Sequence, residues 1–180
     1  PGMHILDVGG GLGGPARTLA IGFGCHVTVL DLTESYVRAG EMLTKLMGLT
    51  EHVSHQLGNA LELPFDDNSF DAVWSQNSGM NIEDKESLYD GFHRLIRRKG
   101  LVVIQQPMSG PNHPPVFPVM WSRKGANNFL RKPEQMRGLI EASGFQTLKW
   151  DVVTDEKDPP AAIRPTHSIQ KLVMGEELLA

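Results

Sequence analysis

The residues whose types and spacing could do chemistry stand near the start of the chain, in Leu6-Asp7-Val8-Gly9-Gly10-Gly11-Leu12-Gly13-Gly14-Pro15-Ala16-Arg17. An apolar run gives way to glycines and then to a helix-compatible stretch. That is the pattern of a buried strand turning tightly into a helix where backbone must approach something closely. Two spacings coexist there. Gly9, Gly11 and Gly14 satisfy the dinucleotide fingerprint, while Gly9, Gly11 and Gly13 preceded by Asp7 satisfy a different one, so the glycines alone do not name a ligand. Asp7 breaks the tie, because a carboxylate at a strand end repels a pyrophosphate and favours a ligand with an ammonium or sulfonium group. S-adenosylmethionine carries both.

Two further positions extend the candidate site, with Gly10 and Gly13 counted as part of the loop. Asp31 ends Val27-Thr28-Val29-Leu30-Asp31-Leu32, where a carboxylate can accept hydrogen bonds from vicinal ribose hydroxyls. In Gly58-Asn59-Ala60-Leu61, followed by Leu63-Pro64-Phe65, the Asn59 carbonyl can accept from an adenine amino group while apolar neighbours enclose the ring. Asn is also a common turn residue, which is the competing reading of Asn59. Downstream, Ser75-Gln76-Asn77-Ser78-Gly79-Met80-Asn81 forms a polar loop, and Asn77, Met80 and Asn81 are candidate contacts to a second substrate. His113 and Trp121, with Phe117 and Met120, are candidates for a lid over it.

The elements that would hold these groups are legible from hydrophobic patterning. Runs at Ile5 to Val8, Val27 to Leu30, Phe70 to Trp74 and Leu101 to Ile104 lack strict alternation, as parallel strands covered on both faces do. Helical stripes separate them. Ala39, Met42, Leu43, Leu46 and Met47 form one stripe, ending at Gly48 and read as core; Leu88, Phe92, Leu95 and Ile96 form another, with Asp84 as cap. A third helix starts near Pro133, buries Met136, Leu139 and Ile140, and stops at Gly144. The expected fold is α/β, a doubly wound, mostly parallel Rossmann-like sheet with helices on both faces, and ligands in such sheets bind outside the carboxyl ends of the strands. Phe145 to Val153 reads as a further strand, residues 107 to 118 with their five prolines as a stiff surface loop, and Ser168 to Leu179 as a helix in a weakly patterned tail.

Composition narrows the partners. The 180 residues carry 17 basic and 21 acidic side chains for a net charge of -4, leaving no overall cationic field for nucleic acid. The one basic cluster, Arg97, Arg98 and Lys99, is explained by a helix end, where cations complement the dipole. The single cysteine, Cys25, reads as a small buried hydrophobe in a reducing, cytoplasmic setting, and the seven histidines show no zinc spacing, so no metal is expected. No apolar run approaches a membrane span. The chain starts at Pro1-Gly2, directly before a strand and without an initiator Met, which reads as a single domain over 1–180 truncated at both ends.

Taken together, the acidic glycine loop at Asp7 to Gly13, Asp31, Asn59-Ala60, the strand Phe70-Asp71-Ala72-Val73-Trp74-Ser75-Gln76, and Arg94-Leu95 leading to Leu101-Val102-Val103-Ile104 resemble the class I S-adenosylmethionine-dependent methyltransferases, particularly the type 11 branch and its small-molecule relatives. The resemblance covers residues 3 to about 153. It implies that Gly9 and Gly11 contact the methionine part of the cofactor, that Asp7 supports its ammonium, that Asp31 holds the ribose and that Leu32 packs on the adenine. Gln76 would offer its backbone carbonyl to the ammonium. Asn59 stands where the family commonly has Asp, and Gln105-Gln106 where it often has an acidic residue. The implied activity is methyl transfer to N, O or C of a small acceptor, with S-adenosylhomocysteine as product. Rival readings are a non-catalytic module that keeps the cofactor pocket and an NAD-dependent oxidoreductase. The sequence gives no oligomeric state and no general base.

Overall fold

The computed structural model describes residues 1–110 and 115–152. His113, Val153 and the expected helix from Ser168 to Leu179 lie outside the described residues. Five strands, β1 (His4–Val8), β2 (His26–Asp31), β3 (Val53–Leu57), β4 (Phe70–Gln76) and β5 (Ile96–Gln105), alternate with α1 (Gly14–Phe23), α2 (Glu34–Leu46), α3 (Lys85–Leu95) and α4 (Pro133–Ala142). All neighbouring strands pair in parallel, in the order β3-β2-β1-β4-β5. The order reverses between β1 and β4, and their carboxyl ends frame the crevice that such a reversal opens.

The strands alternate their side chains between two apolar layers. Leu6, Val8, Leu30 and Val73 pack with Leu88, Phe92, Leu95 and Met136, on the face covered by α3 and α4. Ile5, Val27, Val29 and Ala72 pack with Ala16 and Ala20 of α1 on the other face, and Cys25 is buried there as expected. Asp84 caps α3, its side chain accepting from the Ser87 N–H at 2.9 Å. No helix among the described residues is long and apolar enough to cross a membrane.

Four expectations fail. The run Leu101 to Ile104 lies in β5 at the edge of the sheet and is not covered on both faces: Leu101 and Val103 are exposed while Val102 and Ile104 pack on the core. The stripe on α2 is exposed, with Met42 66% and Leu46 80% accessible. This helix instead buries Val37, Gly40 and Thr44. A Cβ on Gly40 would lie 2.4 Å from the His55 ring, so the missing side chain lets β3 sit directly against the helix. Arg97, Arg98 and Lys99 belong to the start of β5 rather than to a helix end. Arg97 pairs with Asp71 on β4 at 2.7 Å, and an adjacent register shift accompanies Lys99 at φ 68. Residues 145–152 form no strand; Phe145 and Trp150 pack against the α3 core layer as irregular chain.

Candidate functional site

The glycine loop is built by backbone. After β1, the Gly9 N–H donates to the Leu30 carbonyl at 2.8 Å, holding the loop against the end of β2. Gly9, Gly11 and Gly13 have φ of 71, 54 and 75, in the left-handed region that costs a side-chain-bearing residue about 1–2 kcal/mol. A Cβ on Gly9 would also meet Ser78 Cβ at 2.4 Å. Gly14 has no such constraint, since a Cβ there meets nothing within 4 Å. The close packing served by the third glycine of a dinucleotide fingerprint is therefore not in use, and the spacing that matters is Gly9, Gly11, Gly13. From below, Arg17 Nη1 donates to the Leu12 carbonyl at 2.6 Å and reaches Thr44 Oγ1 at 3.4 Å, while Thr44 meets His55 Nε2 at 2.9 Å.

Two carboxylates flank this loop in contrasting surroundings. Asp31 accepts from the Gly11 N–H through Oδ2 at 2.8 Å and from the Thr33 N–H through Oδ1 at 2.9 Å, and it faces the open groove. A carboxylate has about four acceptor sites, so two remain for hydroxyl donors. Asp7 is 1% accessible, and neither of its oxygens has a hydrogen-bond partner. It lies beneath the loop, where a Cβ on Gly10 would approach its Oδ2 to 2.5 Å. Burial, reinforced by the charge of Asp31, pushes its pKa up to about 7.

The groove over the sheet edge measures about 2970 Å³. That is several times the roughly 300–1,000 Å³ of a small-ligand site, and the groove also runs along the flank of β5. Gly9, Gly11, Asp31, Leu32, Asn59 and Ala60 line one end of it. Leu32 is 72% accessible, an apolar side chain offered to whatever fills the site. Asn77, Met80, Asn81 and Trp121 line it beyond β4, and the Trp121 indole donates to Asn128 Oδ1 at 2.9 Å.

Other expected residues sit apart from the lining. Asp7, Gly10 and Gly13 support the loop from inside, and Leu61 is turned away, its N–H donating to Asn59 Oδ1 at 3.0 Å. That bond is the turn role of Asn59; one lone pair of its carbonyl is left for a ligand. The loop around it is anchored by Arg94, which donates to the carbonyls of Leu63 and Phe65, each at 2.8 Å. Gln76 spends its side-chain amide on Gln105 Oε1 at 2.7 Å.

Three residues of this region escape sequence reasoning. Tyr36 lines the groove beside Gly11, its hydroxyl pKa raised by burial and by Asp31. Ser78 Oγ donates to the Val8 carbonyl at 3.0 Å and meets Ser75 Oγ at 2.9 Å, joining the loop after β4 to the end of β1. Lys85 is buried at the start of α3 and donates to the carbonyls of Gly79 and Ile82. Lys85 alone had a readable signal: a cation in the first turn of a helix opposes the dipole, so something other than the helix must hold it.

A family model described as a methyltransferase domain matches residues 6–104. The chain belongs to this family. Like its structural neighbours among the methyltransferases, it has a parallel Rossmann-like sheet. A glycine/sarcosine/dimethylglycine N-methyltransferase of Actinopolyspora halophila is 38% identical over 61% of this chain and 19% of its own length. A sarcosine/dimethylglycine N-methyltransferase of Halorhodospira halochloris is 35% identical over 78% of this chain and 53% of its own. The solved Haemonchus contortus phosphoethanolamine N-methyltransferase 2, in complex with phosphomonomethylethanolamine and S-adenosylhomocysteine, superposes with a TM-score of 0.71 at 26% identity, over 80% of this chain and 33% of that one. This methyltransferase domain thus spans about half or less of the length of these relatives. S-adenosylmethionine is the cofactor of the family, and the groove fits it: an exposed apolar Leu32 next to a carboxylate with free acceptor sites, above a buried carboxylate that lacks a cation.

Proposed function

We propose that this domain, as a single unit over 1–180 in the cytoplasm, moves a methyl group from S-adenosylmethionine to N, O or C of a small-molecule acceptor. The observation that carries the reading is Asp7, a buried carboxylate without a hydrogen-bond partner under a glycine loop. An unpaired buried charge is costly, and a cationic ligand above it relieves that cost where a pyrophosphate would add to it.

Bound S-adenosylmethionine supplies a methyl group already activated on a sulfonium. The protein's part is to bind, align and exclude water. Asp31 takes the ribose hydroxyls on its remaining lone pairs, Leu32 covers the adenine, and Asn59 with Ala60 shapes the other side of the ring, Leu61 holding Asn59 in place through its N–H. Gly9, Gly10, Gly11 and Gly13 allow the backbone to reach the methionine portion, and the Gln76 carbonyl accepts from its ammonium. Asn77, Met80, Asn81 and Trp121 contact the acceptor, and His113, outside the described residues, is proposed as a further contact to it. In-line transfer depends on alignment, with effective molarities reaching roughly 10⁵ M and above in oriented systems, so no triad is required. Met80 and Trp121 keep water from competing.

The test is formation of S-adenosylhomocysteine over a panel of amines, phenols and carboxylic acids, beginning with glycine-derived amines because of the relatives' names. Turnover of any member supports the reading. Donor binding without product from any acceptor, in this chain and in one extended at both termini, assigns a binding module instead.

A further inference from the structure

Lys85 is a buried cation that the proposed chemistry does not use. It is 1% accessible, and its Nζ donates to the Gly79 carbonyl at 2.8 Å and the Ile82 carbonyl at 2.7 Å. No carboxylate forms an ion pair with it among the described residues. Burial is the first cause of a pKa lowered to about 8; Arg131 opposes its charge and Glu86 favours it. An apolar side chain would fill this place at lower cost. What the ammonium adds is the fixed direction of two carbonyls.

Those carbonyls bracket the single helical turn Gly79–Asn81, which carries Met80 and Asn81 into the groove. The same turn is tied on its other sides. Ser78 Oγ reaches the Val8 carbonyl at the end of β1, the Met80 carbonyl accepts from the Phe129 N–H at 2.9 Å, and Gly79 packs so closely on Gln106, just past β5, that a Cβ there would lie 2.3 Å from Gln106 Oε1. Lys85 supplies the tie to α3. It does not line the groove, so it touches neither ligand directly.

We propose that Lys85 is a positioning residue for methyl transfer, its ammonium holding the Gly79 to Ile82 turn so that the acceptor wall stands at a set distance from the cofactor loop to which Ser78 joins it. This rests on the reading of residues 77–81 as the acceptor wall. A displacement of about 1 Å at a reacting centre can cost about 10²-fold in rate, so a small relaxation of the turn is enough to matter.

The test is Lys85→Met, which keeps the stem and removes the ammonium. Native-state hydrogen exchange at the Asn81 and Ile82 amides, which donate to the Ser78 and Gly79 carbonyls, should accelerate at least tenfold, while the Gly11 amide on Asp31 is unchanged. Affinity for S-adenosylhomocysteine by calorimetry should stay within about twofold. With an acceptor from the panel, kcat should fall about 10- to 100-fold, without a matching drop in the unfolding midpoint. Lys85→Gln, which can still donate to one carbonyl, should recover part of both losses and serves if the Met variant does not fold. Unchanged exchange and kcat overturn the proposal, as does a parallel tenfold loss of cofactor affinity, which would place Lys85 in support of the cofactor loop. Exchange is read without any acceptor, so a domain that methylates nothing refutes the methyl-transfer reading while the turn itself is still decided.

Discussion

The two ends of the groove are built on different principles. At the cofactor end, β1, β2 and α1 bring backbone close together, and the chemistry is set by positions where any side chain would be excluded, such as Gly9 and Gly10. At the acceptor end, the wall is a short turn and irregular chain, held by side-chain bonds from Ser78, Lys85 and Trp121. A rigid cofactor loop can serve one ligand for a whole family, while a wall hung on a few replaceable side chains can change with the acceptor.

The contrast can be broken most severely at Asp7. Its raised pKa means that folding is favoured while the group is protonated. The stability it contributes is fully present below the unfolded pKa near 3.8 and is lost as pH rises through about 7. The swing is on the order of 4 kcal/mol. Urea unfolding of the cofactor-free protein from pH 4 to 8 should show this decline in wild type and not in Asp7→Asn; superimposable profiles would refute it.

Next in size is Gly9→Ala. Left-handed φ together with the collision with Ser78 should cost about 3 kcal/mol of stability and abolish cofactor binding. Full binding in the variant would mean that the loop has room to move, and the cofactor end would no longer differ from the acceptor end. Asp31→Ala should lower S-adenosylhomocysteine affinity about 100-fold, roughly 2.7 kcal/mol, through loss of the ribose acceptor and of the anchor for Gly11. Calorimetry showing unchanged affinity would remove Asp31 from the site. The smallest change is Leu32→Ala. Because Leu32 is exposed, stability should move by less than about 0.5 kcal/mol, while affinity falls about fivefold as apolar contact with the adenine is lost.

How much of this was legible in the chain depends on what each signal measures. Apolar runs located β1, β2 and β4 because those are covered on both faces; the run in β5 located a strand whose outer face is open, with Leu101 and Val103 exposed. The edge strand Val53–Leu57 has no apolar run, since Ser54, His55 and Gln56 are tolerated where a single neighbour and one helix suffice. Helical spacing marks a face without saying what covers it. The stripe on α3 is buried, whereas the comparable one on α2 is open because Gly40 and Thr44 draw the opposite seam onto His55. Asp7 and Asp31 could be read from position relative to strand ends. That Asp7 would lie under the loop rather than in the groove, and that Asn59 would spend one lone pair on Leu61, depends on tertiary approach and local turn geometry that no spacing encodes. The ties of Ser78 and Lys85 were hidden for the same reason: their partners are main-chain carbonyls, which carry no sequence signature.

The most direct measurement is a pair of calorimetric titrations at pH 7, with S-adenosylmethionine and with NADH, each in two buffers of different ionisation enthalpy. Saturable heat is predicted for S-adenosylmethionine, with an apparent enthalpy that differs between buffers as Asp7 releases its proton beneath the incoming cation, and no saturable heat for NADH. Binding of NADH with S-adenosylmethionine silent would contradict the assignment of the loop and its carboxylates.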